Sequence, residues 1–194
     1  MACLLNAESL LTCDNPPIAG VQNFVMLYNY TEWRQMVDTG VNVTRDADGT
    51  INDIVNLAGI QAFRFDVPDE TALVLGSPDR LVDGGIDGYD HTLNMSIINT
   101  KQIQKNLVKA MSFEKVVAVV YKKNGTGEVY GDEQGLKSTT NTYNPNDPSV
   151  GGVIPVQLAT STRTPAENKM PCDVFKTDIP TTKALIEDLN IVGT

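Results

Sequence analysis

The chain has 194 residues, 41% of them hydrophobic and 20% charged, and its formal net charge at pH 7 is −9. These values are typical of a globular protein, and the length fits one domain that buries a core without disulfides or metal. An acidic surface repels phosphate, so free binding to nucleic acid is not expected.

Membrane and export signals are absent from the sequence. The apolar runs all fall short of the roughly 18 residues that a membrane span needs. The N-terminus also lacks a basic segment that leads into a hydrophobic one, so we expect no signal peptide and synthesis in a cytoplasm.

The first predicted elements are a strand and a short helix. The segment Val21 to Tyr28 places apolar residues on both faces of a strand, which predicts a strand that is buried on both faces or lies at an interface. Thr31 is placed to cap one helical turn, Glu32 to Val37, with Trp33 and Met36 packing inward.

A series of short strands is predicted next. Asp48-Gly49 is typical of a hairpin tip. Three strands are predicted after it: Ile51 to Leu57, Ile60 to Val67 and Thr71 to Leu75. In the second, Phe63, Phe65 and Val67 alternate with polar residues, which predicts one buried face. Ser77 to Asp90 is rich in glycine and aspartate and predicts a loop, and Leu93, Met95 and Ile97 mark a further strand that follows it.

Two groups of acidic residues have the residue types of a cation site. Asp46, Asp48, Gly49 and Asn52 partly match a calcium loop, but Thr44 and Val55 stand where its terminal acidic ligands belong. The carboxylates of Asp83, Asp87 and Asp90 supply oxygen atoms of the kind that binds a cation. A solvent-exposed loop is, however, the simpler explanation for three aspartates in this segment. The sequence therefore predicts no metal and no cofactor.

Catalytic residues are equally scarce. His91 is the single histidine, and Cys3, Cys13 and Cys172 share no metal-ligand spacing, which predicts reduced thiols. No Walker loop, nucleophile elbow or histidine–cysteine pair occurs, so we expect no enzyme.

The middle of the chain carries its clearest pattern. Thr100 is placed to cap a helix from Lys101 to about Met111. Ile103, Leu107 and Met111 form its apolar stripe, and Lys101, Lys105 and Lys109 lie on a roughly opposite face. The run Val116 to Tyr121 is the most strand-like in the chain, and Asn124-Gly125 predicts a tight hairpin to Gly127–Tyr130.

The last quarter mixes a polar stretch with three predicted elements. Residues 137–152 are rich in Thr, Asn, Pro and Gly, which predicts a polar arm. Val153 to Ala159 reads as a strand, which Pro155 places at a sheet edge or a bulge. Cys172 to Phe175 predicts a final strand. A C-terminal helix begins at Thr181 or Thr182 and ends near Leu189, within a tail spanning 176–194.

The predicted fold class is α+β and β-rich: one domain over residues 1–194, with a rolled antiparallel sheet, small barrel or sandwich flanked by a central helix.

Between Lys101 and Lys137 seven basic residues oppose four acids, whereas Asp46 to Asp90 holds ten acids and two arginines. Such asymmetry fits ordinary solvated faces, or a basic face of one copy meeting an acidic face of the next. The predicted assembly residues are Val21, Phe24, Met26, Tyr28, Val117, Val119, Tyr121, Lys101, Lys105 and Lys109.

Three segments carry a resemblance to a known class of protein: Cys13 to Gly20 (CDNPPIAG), Val116 to Leu136 (VVAVVYKKNGTGEVYGDEQGL) and Pro171 to Phe175 (PCDVF). In this order the chain resembles structural proteins of tailed bacteriophages, particularly the tail-tube, ring and neck proteins of phages that infect Bacteroidetes. The polar arm at 137–152 and the tail after 176 depart from the simplest form of that pattern.

The resemblance implies a virion protein of the tail or neck. Its copies would form a closed ring or tube, contact adjacent tail or neck proteins, and let DNA pass through the lumen without sequence-specific binding or membrane contact. The acidic charge agrees, because a negative wall repels DNA. Three alternatives remain open: a capsid-associated or decoration protein, an injection-system tube component, and a host-type enzyme or small-molecule binding module that uses the carboxylates of residues 77–90.

Overall fold

Two strands that are buried on both faces form the middle layer of the molecule. A computed structural model describes residues 20–67, 73–75, 79–83, 86–97, 101–141, 153–160 and 167–193. Its elements, in chain order, are β1 (Val21–Asn29), α1 (Tyr30–Asp38), β2 (Val43–Arg45), β3 (Ile51–Ile54), β4 (Phe63–Asp66), β5 (Leu73–Leu75), β6 (Asp79–Asp83), β7 (Ile86–Asp90), β8 (Thr92–Ile97), α2 (Gln102–Phe113), β9 (Val116–Lys122), β10 (Gly127–Tyr130), β11 (Leu136–Asn141), β12 (Ile154–Thr160), β13 (Cys172–Val174) and α3 (Ile179–Asp188). The predicted α+β, strand-rich class is confirmed.

The main sheet is open and branches at β9. Strand β1 pairs antiparallel with β9 on one side and with β4 on the other. The opposite side of β9 pairs with β10 along most of its length and with β11 at Val116. From β10 the sheet continues through β13, β3 and β2, and from β11 through β12, β8 and β5. The β13–β3 pair is parallel, and β6 with β7 forms a separate hairpin.

Alternate residues of β1 and β9 feed two separate hydrophobic cores. Val25 and Leu27 of β1, with Ala118 and Val120 of β9, pack against β8, β12 and α2. The intervening side chains pack against α1, β3, β13 and α3: Met26, Tyr28, Val117 and Val119 among them. Since successive side chains of a strand point to opposite faces, this arrangement explains why neither strand has a polar face. The two cores share β1 and β9.

The three helices occur where the sequence places helical signals, with shifted ends. The helix predicted over Glu32 to Val37 is longer, and Trp33 and Met36 are fully buried as expected. Helix α3 begins earlier than predicted, because the Asp178 carboxylate accepts the Thr181 backbone N–H at 2.8 Å and acts as the N-cap. None of the described helices is long and apolar enough to cross a bilayer, and α2, the longest, has 12 residues.

Three sequence predictions about local structure are wrong. The stretch predicted as a loop at 77–90 contains the β6–β7 hairpin. The first residues of the predicted polar arm belong to β11, and residues 142–152 lie outside the described part. Phe63 is 48% exposed, although the sequence predicts it on the buried face of its strand. Strand β12, which contains Pro155, lies between β11 and β8, and its ladder to β11 has an irregularity between Ser138 and Thr140, in line with the predicted bulge.

Candidate functional site

A buried polar cluster fixes the turn between β10 and β11. Glu167 is 1% exposed, and its carboxylate accepts the backbone N–H groups of Glu133 at 3.0 Å and Gln134 at 2.8 Å. Burial raises the pKa of this carboxyl, and the two N–H donors counteract part of that effect. The main chain of Glu167 also pairs with Tyr89 of β7. Glu167 therefore joins the β6–β7 hairpin to this turn.

His91 holds the same turn from a second direction. Its Nδ1 accepts the Gly131 backbone N–H at 3.1 Å, which leaves Nε2 to carry the proton and donate to the Lys169 carbonyl at 2.9 Å. The ring lies edge-on to Tyr130, with centroids 5.7 Å apart. Burial lowers the pKa of the imidazole, so it is neutral at pH 7. His91 is thus a buried residue whose two ring nitrogens both have partners.

Asp132 anchors the turn to the second core. It accepts the Trp33 indole N–H at 2.8 Å and forms an ion pair with Arg45 at 2.8 Å. The Cys172 thiol lies 3.9 Å from the same carboxylate, and burial raises its pKa, so it remains protonated. Cys172 is a free, half-buried thiol, as predicted; Cys3 and Cys13 lie outside the described residues.

This cluster lacks the features of a reactive centre. His91, Asp132 and Glu167 each have partners within the fold, and each is almost fully shielded from solvent. Across the part of the chain that the structure describes, no group of three His, Cys, Asp or Glu residues is arranged to hold a metal ion. The hydrogen bonds of His91, Asp132 and Glu167 position a turn, because they join residues 131–135 to the elements packed around that turn.

The carboxylates considered for cation binding have other roles or lie outside the described residues. Asp90 accepts a short hydrogen bond from the Thr160 hydroxyl. Asp48 accepts the Thr50 backbone N–H at 3.0 Å, which lowers the pKa of Asp48, and Asp46 accepts from the Asn52 amide. These contacts close the β2–β3 turn. The side chains of Asp83 and Asp87 are not among the described ones.

The apolar residues predicted as an assembly interface lie inside the subunit. All seven are at most 8% exposed: Val21, Phe24, Met26, Tyr28, Val117, Val119 and Tyr121. Packing within the two cores accounts for their pattern, and they offer no surface to a second copy in this conformation. The three predicted lysines differ, since Lys101, Lys105 and Lys109 are exposed on α2.

An exposed apolar surface does exist, between α2 and β4. Ile103, predicted to face the core with Leu107, is 70% exposed, and Phe63 of β4 is 48% exposed. Together with Phe65, these side chains line one depression. We call the surface formed by Phe63, Phe65, Ile103 and Leu107 the α2–β4 face. Helix α2 places Ile103 there because its core contacts come from Val108 and Met111 instead.

The α2–β4 face continues into a groove, and the lysines of α2 lie on the other side of that helix. The groove holds about 180 Å³ and is lined mainly by apolar side chains, including Leu27, Ala110 and Met111. Lysines 101, 105 and 109 lie along the exposed side of α2, and Glu114 follows as the one acid between residues 101 and 114. In a protein of net charge −9, α2 thus carries local positive charge on the side away from Ile103 and Leu107.

Strand β4 adds a sheet edge to this face. Among the described strands, β4 pairs with β1 alone, so it lies at an edge of the sheet that the structure describes. Arg64 stacks over the Phe24 ring at 4.3 Å and pairs with Asp66 at 2.9 Å, which places charges along that edge. Charged side chains on an edge strand disfavour unspecific strand pairing.

The sequence contained partial signals for these features. Gly131 and Gly135 lie at the two ends of the turn and have positive φ angles of 74° and 72°. The two glycines of the motif YGDEQG are the sequence signal for this turn. Nothing in the sequence indicates that Glu167 or Trp33 reaches this turn. Comparison with known proteins adds no relative: no family model, no curated protein and no solved structure matches this chain.

Proposed function

We propose that this protein is a structural component of a phage virion, in the tail or neck, whose copies assemble into a ring or tube around the DNA path. The assignment to a phage virion rests on the sequence resemblance. The observation that carries the assembly step is the α2–β4 face, on which the exposed side chains of Ile103 and Phe63 line one depression.

Hydrophobic surface of this kind supports an interface. Contiguous exposed apolar side chains with a polar rim are typical of protein–protein contact sites. The lysines on the other side of α2 give each copy a local positive charge that attracts an acidic neighbouring subunit. The remaining negative charge would let DNA slide through a lumen without being held.

A structural role also agrees with the interior. The buried polar groups His91, Asp132 and Glu167 hold the 131–135 turn and are shielded from solvent. The α2–β4 groove, at about 180 Å³, is smaller than the roughly 300 Å³ at which small-molecule pockets begin, whereas the depression around Ile103 holds about 550 Å³. The proposal therefore names no enzyme activity and no cofactor.

Negative-stain electron microscopy paired with light scattering tests the proposal. The purified protein is expected to form rings or stacked tubes, with a mass that is a multiple of 21.1 kDa and that falls as salt is raised. The variant Phe63→Ser/Ile103→Ser should remain monomeric. Phe113→Ser is the matched control, since Phe113 is equally exposed on α2 but does not line the groove.

Two results would count against the proposal. A clean monomer at high concentration and low salt would contradict self-assembly. Rings that persist unchanged in Phe63→Ser/Ile103→Ser would show that another surface holds them. If immunogold labelling placed the protein on capsid faces and not on the tail axis, the decoration role would replace the tail or neck role.

A further inference from the structure

The turn over residues 131–135 is fastened to the rest of the molecule by side chains. Three of its backbone N–H groups donate to side-chain atoms, one to His91 and two to Glu167. The strand pairs of β10 end at Tyr130, and those of β11 begin at Leu136. The contacts of the turn are therefore separate from the ladder hydrogen bonds of the sheet, and the turn opens without breaking a ladder.

Glycines at both ends of the turn supply the backbone freedom that opening requires. Gly131 and Gly135 have positive φ angles in the closed turn. Glycine adopts positive and negative φ angles about equally well, because it has no Cβ. A change of φ at these two positions moves the residues between them and leaves the strands in place.

The imidazole of His91 has a single site for an additional proton. Its Nε2 already carries a proton, which it donates to the Lys169 carbonyl at 2.9 Å. A second proton must therefore bind Nδ1, the atom that accepts the Gly131 N–H at 3.1 Å. The imidazolium ion has two N–H donors and no acceptor, so it does not keep this contact. Protonation of His91 and closure of the turn exclude each other.

Three carboxylates act on His91 from the surrounding elements. Asp90 precedes it in β7, Glu128 lies on β10 and Asp132 lies in the turn, and the negative charge of each favours the protonated ring. Burial of the ring opposes them more strongly, so the pKa of His91 lies below its ordinary value of 6.5. The net effect of its surroundings is to hold His91 neutral.

The segment 167–170, which packs against the ring, carries two further charged groups. The Lys169 ammonium lies 3.8 Å from the Glu133 carboxylate, while its carbonyl accepts from His91. Burial raises the pKa of Glu167, so this carboxyl takes up a proton more readily in the closed turn than in solvent. Glu167 therefore favours closure in acid, and its effect has the opposite sign to that of His91.

From this geometry we propose that the 131–135 turn is an acid-released latch with His91 as its trigger. In the closed form Glu167 joins the turn to the β6–β7 hairpin, and Asp132 joins it to Trp33 of α1. Proton uptake by His91 shifts the turn to an open form in which the hairpin and α1 are no longer linked through it. The paired strands and the two cores stay intact. The inference concerns one subunit and does not rest on the proposed assembly.

Two side chains that occur once in the sequence report on the latch. His91 is the only histidine and Trp33 the only tryptophan, so NMR of the imidazole protons and tryptophan fluorescence follow them without ambiguity. The His91 signal should titrate with a midpoint below 6.5. Trp33 emission should change over the same pH range, because Trp33 contacts the turn through Asp132. Far-UV circular dichroism should stay constant there, since the strands remain paired.

His91→Gln is the matched control. A glutamine amide has one acceptor and one donor group, as the neutral imidazole has, but it takes up no proton in this pH range. Its Trp33 emission should not change with pH. Amide hydrogen exchange at Gly131 gives the size of the effect. Opening in the wild type should increase up to about tenfold between pH 7.5 and pH 5.5, relative to His91→Gln. Both proteins retain Glu167, so its opposing effect cancels in this ratio.

Three results would overturn the inference. A His91 midpoint at or above 6.5 would show that the closed turn accepts the imidazolium ion. Trp33 emission that stays constant while His91 titrates, or that changes equally in His91→Gln, would show that the turn does not respond to His91. Loss of the far-UV signal together with the His91 titration would mean global unfolding and not a local latch. The wild-type titration decides the question even where His91→Gln fails to fold.

Discussion

The indole N–H of Trp33 donates to the carboxylate of Asp132 across 2.8 Å and links α1 to the turn after β10. Trp33 is fully buried in the second core, and Asp132 also binds Arg45. A carboxylate that accepts from two donors in a shielded position holds both in place. The link therefore connects the α1 side of the molecule to the turn that His91 and Glu167 hold from the other side.

Removal of this carboxylate should be costly. Asp132→Ala leaves the Trp33 N–H without a partner and the Arg45 charge uncompensated, so we expect the free energy of unfolding to fall by about 3 kcal/mol. Trp33→Phe, which keeps most of the ring, should cost less. Urea denaturation at pH 7 measures both.

The matched control is Asp38→Ala, which breaks the Arg34–Asp38 pair on the exposed surface of α1. Its cost should stay below about 0.5 kcal/mol, because solvent screens such a pair. Equal losses for Asp132→Ala and Asp38→Ala would contradict the view that the Trp33–Asp132 link holds the turn.

Stability should depend on pH through His91. Burial lowers the pKa of His91 in the folded state, although the charges of Asp90, Asp132 and Glu128 oppose this. The unfolded chain binds a proton near pH 6.5 and the folded protein resists it, so the free energy of unfolding falls as the pH drops below about 6.5. His91→Gln removes this dependence, and its destabilisation should be larger at pH 7.5 than at pH 5.5.

Both proteins in that comparison retain Glu167. Burial raises the pKa of Glu167 in the folded state, and this contributes a slope of the opposite sign at lower pH. The slope is common to wild type and His91→Gln and cancels in their difference. A difference that does not change between pH 7.5 and pH 5.5 would show that His91 is not held neutral by the fold.

Alanine substitutions at two glycines distinguish the cost of backbone strain from the cost of a steric clash. Gly49 and Gly125 both have φ angles near +90°, which residues with a side chain rarely adopt. A Cβ at Gly49 meets nothing within 4 Å, whereas one at Gly125 lies 2.6 Å from Ile179. We expect Gly49→Ala to cost about 1 kcal/mol and Gly125→Ala about 2–3 kcal/mol.

The double variant Gly125→Ala/Ile179→Ala, measured against Ile179→Ala, isolates the contact. Truncation of Ile179 removes the clash, so the cost of the alanine at position 125 should fall to that of Gly49→Ala. Thermal denaturation of all five proteins is sufficient. No recovery in the double variant would mean that the strain lies in the backbone alone.

Patterns that depend on neighbouring residues could be identified from the sequence. The run Val116–Tyr121 and the Asn124-Gly125 turn predict β9 and the hairpin to β10, and the structure has both. Leu93, Met95 and Ile97 predict the buried face of β8. Such elements follow from side-chain alternation and from the φ angles that glycine allows, and these are local properties.

The packing partners could not be identified in this way. Successive apolar residues in β1 are compatible with an interface between copies or with two internal cores. The structure has two internal cores because α1, α2 and α3 pack against the two faces of the middle layer. Ile103 matches a buried stripe, yet α2 is rotated so that Val108 and Met111 fill the core and Ile103 faces outward. Glu167, His91 and Asp132 meet at one turn because distant strands bring them there. A sequence records which side chains are apolar or charged, whereas burial depends on contacts between distant residues that only the folded chain makes.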